Sequence, residues 1–299
     1  MDGGVANGNH CTKRDLVRER RFGHDFVVSE TQVPDITYRR EGALGFFCGI
    51  LIGAAAGMIG VGGGEFRIPV LLHVLRLPVR VAAGANTIIG LAVVILGAIR
   101  RLPQHQWGEG DVAIAGTMVV ASLAGAWLGA RIANRVPLKP LKAFVVVYLA
   151  LVGVWMIVEA FLQADHTLLN PSGSMRILLA GSIGFVIAAV SGSLGVAGGE
   201  MRIPALMYLF AVPIKQAGTI SLIVSIPTVA ASAIAYRSLG HIPNRVLIVA
   251  CIMGAGSLIG VLIGASLLPY VDKHLLKGIL GALLLVATAC LTLPGLKTH

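Results

Sequence analysis

Residues 57–71 read GMIGVGGGEFRIPVL, and residues 192–206 read GSLGVAGGEMRIPAL. Ten of the fifteen positions are identical, at a constant offset of 135. The offset continues beyond the motif without a gap, so that Gly49 corresponds to Gly184. The chain therefore contains two homologous halves with the same architecture.

The composition places both halves in a membrane. Of the 299 residues, 56% are hydrophobic and 13% are charged, whereas soluble domains have roughly 45–50% apolar and about 25% charged residues. Seven of the 14 Asp and Glu precede residue 42, which leaves the rest of the chain almost free of acids. This excludes an ordinary soluble enzyme and a disordered protein. We expect an all-α polytopic membrane protein whose surroundings are a lipid bilayer.

The net charge of +10 has a simple origin in such a protein. A strongly basic soluble domain would suggest nucleic acid, but Lys and Arg also collect in the cytoplasmic loops of membrane proteins and set their orientation. The basic residues here form short clusters between apolar runs, so no nucleic-acid partner is expected.

Each half contains four long apolar segments and one short one. The two short segments follow the glycine motif and are predicted to begin at Pro69 and Pro204. Each is either a re-entrant stub or a short, tilted span packed inside protein. The long segments are 43–60, 80–100, 111–133, 141–162, 176–195, 215–236, 246–268 and 275–293, and the short ones are 68–77 and 203–212.

The distribution of basic residues favours ten membrane segments over eight. With a cytoplasmic N-terminus and five segments per half, sixteen Lys and Arg lie inside and six outside. With four segments per half, the cluster Arg131 to Lys142 would face outward, against the positive-inside rule. Five segments per half make the two halves inverted repeats, the usual architecture of a secondary transporter.

These assignments divide the chain into five parts. Residues 1–42 form a polar cytoplasmic arm, and residues 164–175 form a linker between the repeats. Residues 43–163 are the first transmembrane repeat, 176–293 the second, and 294–299 a C-terminal tail.

The glycine motif predicts a break in the helix. Three consecutive glycines cost a helix about 1 kcal/mol each relative to alanine, and proline suits the first turn of a new helix. A helix N-terminus carries unpaired N–H groups and about half a positive charge, so it can bind an anion. Two copies of the motif predict two such N-termini converging on one polar cavity.

The same motif carries Glu65 and Arg67, and its second copy carries Glu200 and Arg202. Ionisable groups flanked by apolar segments usually mark a transport pathway, and arginine suits an oxoanion. The alternative is a structural Glu–Arg clamp. Asn86 and Ser221 correspond by the offset and either line the cavity or join helices. The predicted substrate-binding residues are Gly62, Gly63, Gly64, Glu65, Arg67, Asn86, Ala197, Gly198, Gly199, Glu200, Arg202 and Ser221.

Soluble enzyme motifs do not fit the glycines. A Walker loop needs Gly-Lys-Ser/Thr, but Gly64 is followed by Glu65, and a dinucleotide fingerprint needs glycine at position 65. The histidines have no metal-ligand spacing. We therefore expect no enzyme activity, no cofactor and no metal. A membrane-embedded binding or scaffold subunit without transport activity is the alternative to a transporter.

The duplicated elements IGVGGGEFRIPVL and LGVAGGEMRIPAL resemble the glycine-rich signature of the TauE/SafE family of sulfite exporters, over roughly residues 43–293. The resemblance implies secondary transport of a small anion, sulfite or an organosulfonate, across a bacterial inner membrane. The cargo would lie between the two half-helix N-termini. A homodimer is compatible with this reading.

Overall fold

The computed structural model describes residues 40–75, 77–108, 110–132, 138–163, 166–169, 171–240, 242 and 244–292. Most of the predicted arm, residues 1–39, and the predicted tail, residues 294–299, lie outside this part of the chain.

Within the described residues the fold is all-α and contains no strand. Two short 3-10 turns, Leu102–Gln104 and Leu268–Tyr270, follow two of the helices. The ten α-helices are α1 (Arg40–Ile59), α2 (Gly64–His73), α3 (Val79–Arg101), α4 (Asp111–Ile132), α5 (Leu138–Leu162), α6 (Gly173–Leu194), α7 (Gly199–Phe210), α8 (Ile214–Ser238), α9 (Asn244–Leu267) and α10 (Lys273–Thr292).

Eight of these helices are long and apolar enough to cross a bilayer. They coincide with the eight long segments predicted from the sequence. Helices α2 and α7 are shorter, with 10 and 12 residues. At 1.5 Å per residue they are about 15 Å and about 18 Å long, against a hydrocarbon core of about 30 Å.

The short helices begin five residues earlier than predicted, at Gly64 and Gly199 rather than at the prolines. The first helical bond is donated by the Arg67 amide to the Gly63 carbonyl, and the Arg202 amide repeats this bond in the second half. Each proline therefore lies inside its helix. There it removes the N–H that the carbonyl four residues earlier would accept.

Helix α1 packs along α9, and α4 packs along α6, through glycines on both sides. A methyl group on Gly53 would stand 2.2 Å from the Ser257 carbonyl oxygen, and one on Gly129 would stand 2.0 Å from that of Ala189. Both pairs are parallel, since Gly57, further along α1, lies against Val261, further along α9. These glycines allow close backbone contact, which stabilises helix pairs in lipid.

Helices that correspond in the two halves run antiparallel where they pack. In α3 and α8, Gly90 lies against Val229 and Gly97 against Leu222. Helices α5 and α10 also pack together, and their contacts run in opposite directions, since Gly153 lies against Leu284 and Ala160 lies against Gly278.

Helix α3 runs in the same direction as α9. Ile89 lies against Gly254, and Gly97, further along α3, lies against Val261. Because α9 is parallel to α1, helices α1 and α3 share one direction. The chain therefore returns along the bundle between them, over residues 60–78. Helices α3 and α8 are the most deeply buried of the long helices, and they form the interior surface on which α2 and α7 pack.

Candidate functional site

The chain leaves its helical path at both glycine motifs. Helix α1 ends at Ile59, and α2 begins at Gly64 after a non-helical loop. Gly60 and Gly63 have φ values of 99° and 67°, and their equivalents Gly195 and Gly198 have values of 71° and 75°. Residues with a Cβ rarely adopt this left-handed region. The predicted helix breaks are therefore present, and glycine is required at their two ends.

The two loops, residues 60–63 and 195–198, touch each other. Gly62 lies directly against Ala197, which is its equivalent in the second half. Gly64 lies against Val196, and Gly199 lies against Val61. The two helix N-termini predicted to converge are therefore neighbours, in direct contact rather than separated by an open space.

Arg67 is fully buried behind the first loop. Its Nε donates a hydrogen bond of 2.9 Å to Asn86 Oδ1 on α3, and its Nη2 donates to the Gly62 carbonyl. Asn86 in turn donates through Nδ2 to the Gly195 carbonyl over 2.7 Å. Arg67 and Asn86 thus join the loops of the two halves. Nη1 of Arg67 has no hydrogen-bond partner among the described residues.

Arg202 takes the equivalent position behind the second loop and is also fully buried. Its Nη1 donates to Ser225 Oγ over 2.8 Å and to the Ser221 carbonyl over 3.1 Å. Its Nη2 donates to the Ala197 carbonyl over 3.5 Å. Within the described residues, Nε of Arg202 and Oγ of Ser221 have no partner. Each arginine therefore supports the preceding loop and retains one guanidinium nitrogen for a further acceptor.

The glutamates of the motif do not bond to these arginines. Residues two apart on a helix point to different sides, so Glu65 and Glu200 face α10 while the arginines face α3 and α8. The two glutamates border one cavity of only about 10 Å³, about the space of a single water. Neither oxygen of Glu65 has a hydrogen-bond partner in the described part of the chain. The Glu–Arg clamp considered from the sequence is therefore not made by direct hydrogen bonds.

All twelve predicted residues lie in one region. The six loop and cap positions belong to the two breaks, the four charged residues to the first turns of α2 and α7, and Asn86 and Ser221 to the facing sides of α3 and α8. Fully or nearly fully buried side chains make up this region. Across the described chain, no three His, Cys, Asp or Glu lie close enough to hold a metal ion.

A much larger cavity, about 630 Å³, lies at one end of the bundle. It is bordered by the end of α3 and by the first turns of α8 and α10, and it contacts none of the twelve predicted residues. None of its described lining residues is acidic, and six of them are basic or histidine: Arg101, His105, His166, Lys215, Lys273 and Lys277.

Arg101 connects this cavity to the first glycine loop. Its side chain is fully buried, and its Nη2 donates to the Lys215 carbonyl over 2.7 Å. Nη1 lies 3.4 Å from the Gly57 carbonyl oxygen, to which it donates. The guanidinium also borders Gly218, which packs directly against Gly60. Arg101 therefore occupies the wall between the cavity and the helix break.

Arg101 is not among the residues predicted from the sequence, and it lies one position beyond the predicted segment 80–100. Its equivalent in the second half is Tyr236, which is buried and donates to the Ser193 carbonyl over 3.0 Å. Arg101 donates to Met58 O, the equivalent of that carbonyl, over 3.5 Å. Internal duplication identifies only residues that both halves share, so a position holding Arg in one half and Tyr in the other escapes it.

His105 contributes little positive charge to the cavity. Burial lowers the pKa of its imidazole, Asp111 opposes this shift, and Arg101 adds to it. The imidazole is therefore largely neutral near pH 7, because its ordinary pKa of about 6.5 is already below that value. The positive charge of the cavity comes from its arginine and lysines.

Glu159, in the last turn of α5, is buried near the same end of the bundle. Its Oε2 lies 3.1 Å from Lys277 Nζ and accepts a bond of 3.0 Å from Tyr208 OH. Trp155 Nε1 donates to Oε1 over 3.1 Å, and His166 Nδ1 lies 3.2 Å from the same atom. Both oxygens of this carboxyl group therefore have polar partners, which connect α5 with α7 and α10.

Comparison with known proteins agrees with this architecture. A probable membrane transporter protein of Xylella fastidiosa (strain 9a5c) is 26% identical over 168 residues. That match covers 55% of this chain and 62% of the relative. No solved structure matches the chain. The sequence profile named sulfite exporter TauE/SafE matches residues 44–291. With eight helices able to cross a bilayer and this profile over most of its length, the chain is a multi-pass membrane protein of the TauE/SafE family.

Proposed function

We propose that this protein is a secondary transporter that exports a small anion, sulfite or an organosulfonate, across a bacterial inner membrane. The observation that carries the proposal is the contact between two helix N-termini, one from each half, with a fully buried arginine behind each. Buried cations beside helix N-termini are suited to an oxoanion. The family and the transporter relative support the same class of function.

The cargo would be held by groups that the protein leaves unsatisfied. Arg67 Nη1 and Arg202 Nε are buried donors without a partner, and Ser221 Oγ adds a hydroxyl. The first amides of α2 and α7 add N–H groups that no helical carbonyl accepts. An oxoanion offers several acceptor oxygens, so it can satisfy donors from both halves at once.

The conformation described here is closed at the proposed site. The loops touch at Gly62 and Ala197, and the cavity beside the motif glutamates holds about 10 Å³. Cargo binding therefore requires the loops to separate. The basic cavity of about 630 Å³ would collect anions at one end of the bundle, and Arg101 would stand between it and the site.

We further propose that the halves are inverted repeats with ten membrane segments, of which α2 and α7 are the two short ones. The antiparallel packing of α3 on α8 and of α5 on α10 supports an axis perpendicular to the helices. The shared direction of α1 and α3 supports a crossing by α2 between them. With the N-terminus cytoplasmic, the basic cavity faces the periplasm.

The proposal is tested by reconstitution in liposomes with sulfite, sulfate, thiosulfate, taurine and sulfoacetate. Counterflow of labelled anion should occur for at least one of the five and should stop in Gly63→Val. Empty liposomes and a Gly116→Ala variant are the controls, since a methyl group on Gly116 meets nothing within 4 Å. Absence of counterflow for all five anions would favour the binding or scaffold subunit.

A further inference from the structure

We propose that Glu65 and Glu200 together form one proton-binding site, and that a further proton enters this site when an anion binds, so that the transporter carries protons with its cargo. The proton-sharing pair is independent of the proposed function. The coupling between proton and anion rests on the proposed function.

The two carboxyl groups meet between the halves. Glu65 and Glu200 are equivalent by the offset of 135, and each side chain is about 5% exposed. The carboxyls of Glu65 and Glu200 border the same small cavity. Two like-charged groups thus face each other at the contact of the half-helices.

Among the described residues, few hydrogen bonds reach the pair: the Glu200 carboxyl accepts one from the Glu200 backbone. Both Glu65 oxygens and Oε2 of Glu200 are buried without a donor. The remaining walls are apolar, with Leu280, Leu283 and Leu284 of α10 facing the carboxyls. Two ionised carboxylates cannot hydrogen-bond to each other, whereas one carboxylic acid and one carboxylate can.

The charged and polar groups around the pair direct their hydrogen bonds to other residues. Arg67 donates to Asn86 and Gly62, and Arg202 donates to Ser225, Ser221 and Ala197. Tyr148, which lies near Glu200 on α5, donates its hydroxyl to the Met201 carbonyl over 3.2 Å. The arginines contribute positive charge at a distance, but no donor of theirs reaches the carboxyls.

Glu159 shows the opposite arrangement in the same protein. It is equally buried, but Lys277, Tyr208 and Trp155 place donors on its oxygens. A buried carboxylate is stabilised by such donors, and without them the proton stays on. Of two buried carboxyls that face each other with a single backbone donor, one keeps its proton and the pair holds a single negative charge.

That remaining charge lies at the helix N-termini where the anion is proposed to bind. Glu65 and Glu200 belong to the first turns of α2 and α7, whose positive ends stabilise one negative charge at low cost. A bound anion competes for the same positive potential and repels the carboxylate. Protonation of the second carboxyl removes this repulsion, so anion and proton bind more tightly together than apart.

The proton itself can be observed by infrared spectroscopy of the purified protein at neutral pH. We expect a carbonyl stretch of a protonated carboxylic acid in the wild type and its loss in the double variant Glu65→Gln/Glu200→Gln. Glu159→Gln is the matched control and should keep the band, since it changes a buried carboxyl with other partners. A wild type without the band, or a double variant that keeps it, overturns the proton site.

The coupling is measured in liposomes with labelled sulfoacetate, whose charge does not change near neutral pH, and with the membrane potential clamped at zero. An acidic outside bath one pH unit below the lumen should give about tenfold accumulation for one proton per anion. Glu65→Gln and Glu200→Gln should each lower the ratio of pH-driven accumulation to counterflow, measured on the same vesicles. Thermal unfolding of each variant checks that the protein is folded.

The two proposals fail in different ways. Counterflow without pH-driven accumulation in the wild type, or accumulation that survives both Gln variants, overturns the coupling and leaves the transporter intact. A wild type that shows the infrared band but no counterflow with any anion of the panel overturns the proposed function and the coupling and leaves the proton site.

Discussion

Gly62 and Ala197 occupy equivalent positions in the two halves and lie directly against each other. A Cβ on Gly62 would stand 2.2 Å from the Cβ of Ala197, far inside van der Waals contact. Only one of the two positions can therefore carry a methyl group. This explains the one glycine of the first motif that the second motif replaces by alanine.

The contact predicts an exchange experiment. Gly62→Ala should destabilise the protein by about 1–3 kcal/mol, as overpacking of a close contact typically does, and should lower transport per folded molecule. Ala197→Gly alone should be tolerated, and the exchange Gly62→Ala/Ala197→Gly should regain most of the loss. The measurements are thermal unfolding and counterflow on the same sample. No recovery in the exchanged pair would mean that Gly62 is needed for another reason, such as close approach of the cargo.

The left-handed ends of the loops predict a second pair of variants. Gly63→Val and Gly198→Val place a β-branched residue at a φ of 67° and of 75°, a conformation that costs L-residues roughly 1–2 kcal/mol. The new side chain would also meet Ile52 and Ser191, each 2.9 Å from the added Cβ. We expect both variants to lose transport.

Controls for these variants come from glycines outside the loops. Gly116→Ala should change neither stability nor flux, since its Cβ meets no atom within 4 Å. Gly125→Ala should destabilise the α4–α6 contact, because its Cβ would stand 2.4 Å from the Phe185 carbonyl oxygen. If Gly63→Val loses flux only in proportion to folded protein, the loop is a packing device and not a cargo site.

The buried arginines allow two roles to be tested separately: their positive charge and their hydrogen bonds to the loops. Arg67→Ala and Arg202→Ala should reduce transport strongly, since each removes a buried cation from a helix N-terminus. Asn86→Ala removes only the 2.9 Å bond to Arg67 and the 2.7 Å bond to Gly195, which should cost about 1–3 kcal/mol of stability with a smaller loss of flux. Flux per folded molecule distinguishes the two effects. Equal losses in Arg67→Ala and Asn86→Ala would assign Arg67 a supporting role alone.

The basic cavity predicts an effect on apparent affinity. Lys215→Glu should raise several-fold the KM for anion supplied from the side that the cavity faces and leave kcat nearly unchanged, because the charge attracts the anion before the rate-limiting step. Raising the salt concentration should shrink the difference. Arg100→Glu is the matched control, since Arg100 bonds to Ser266 and does not border the cavity. Identical KM increases in both variants would reflect surface charge and not this cavity.

The proposed topology predicts the accessibility of introduced cysteines. In a variant without native cysteines, Gln104→Cys and Gln216→Cys should react with a membrane-impermeant reagent added from the periplasmic side, because both residues line the same cavity. Ser238→Cys, at the other end of α8, should be protected from that side. Labelling of Gln104→Cys only from the cytoplasmic side would contradict the proposed orientation in the membrane.

The positions of the long helices and of the two helix breaks could be predicted from the amino-acid sequence. The eight long helices follow from apolar runs, because a span must satisfy its backbone internally and present apolar side chains to lipid. The breaks at Gly60–Gly63 and Gly195–Gly198 follow from glycines that a helix disfavours. The offset of 135 paired the residues of the two halves and identified both arginines and both glutamates.

Which side chains those residues contact depends on how the helices pack in the tertiary structure. A periodic pattern gives the side of a helix on which a residue lies but not its neighbour across a helix pair. Sequence therefore left open whether Glu65 bonds to Arg67, whereas packing turned Arg67 toward Asn86 and Glu65 toward Glu200. Arg101 and its cavity could not be predicted from the sequence, because the second half has no equivalent arginine. The role of Arg101 follows from its contact with the Lys215 carbonyl at the start of α8.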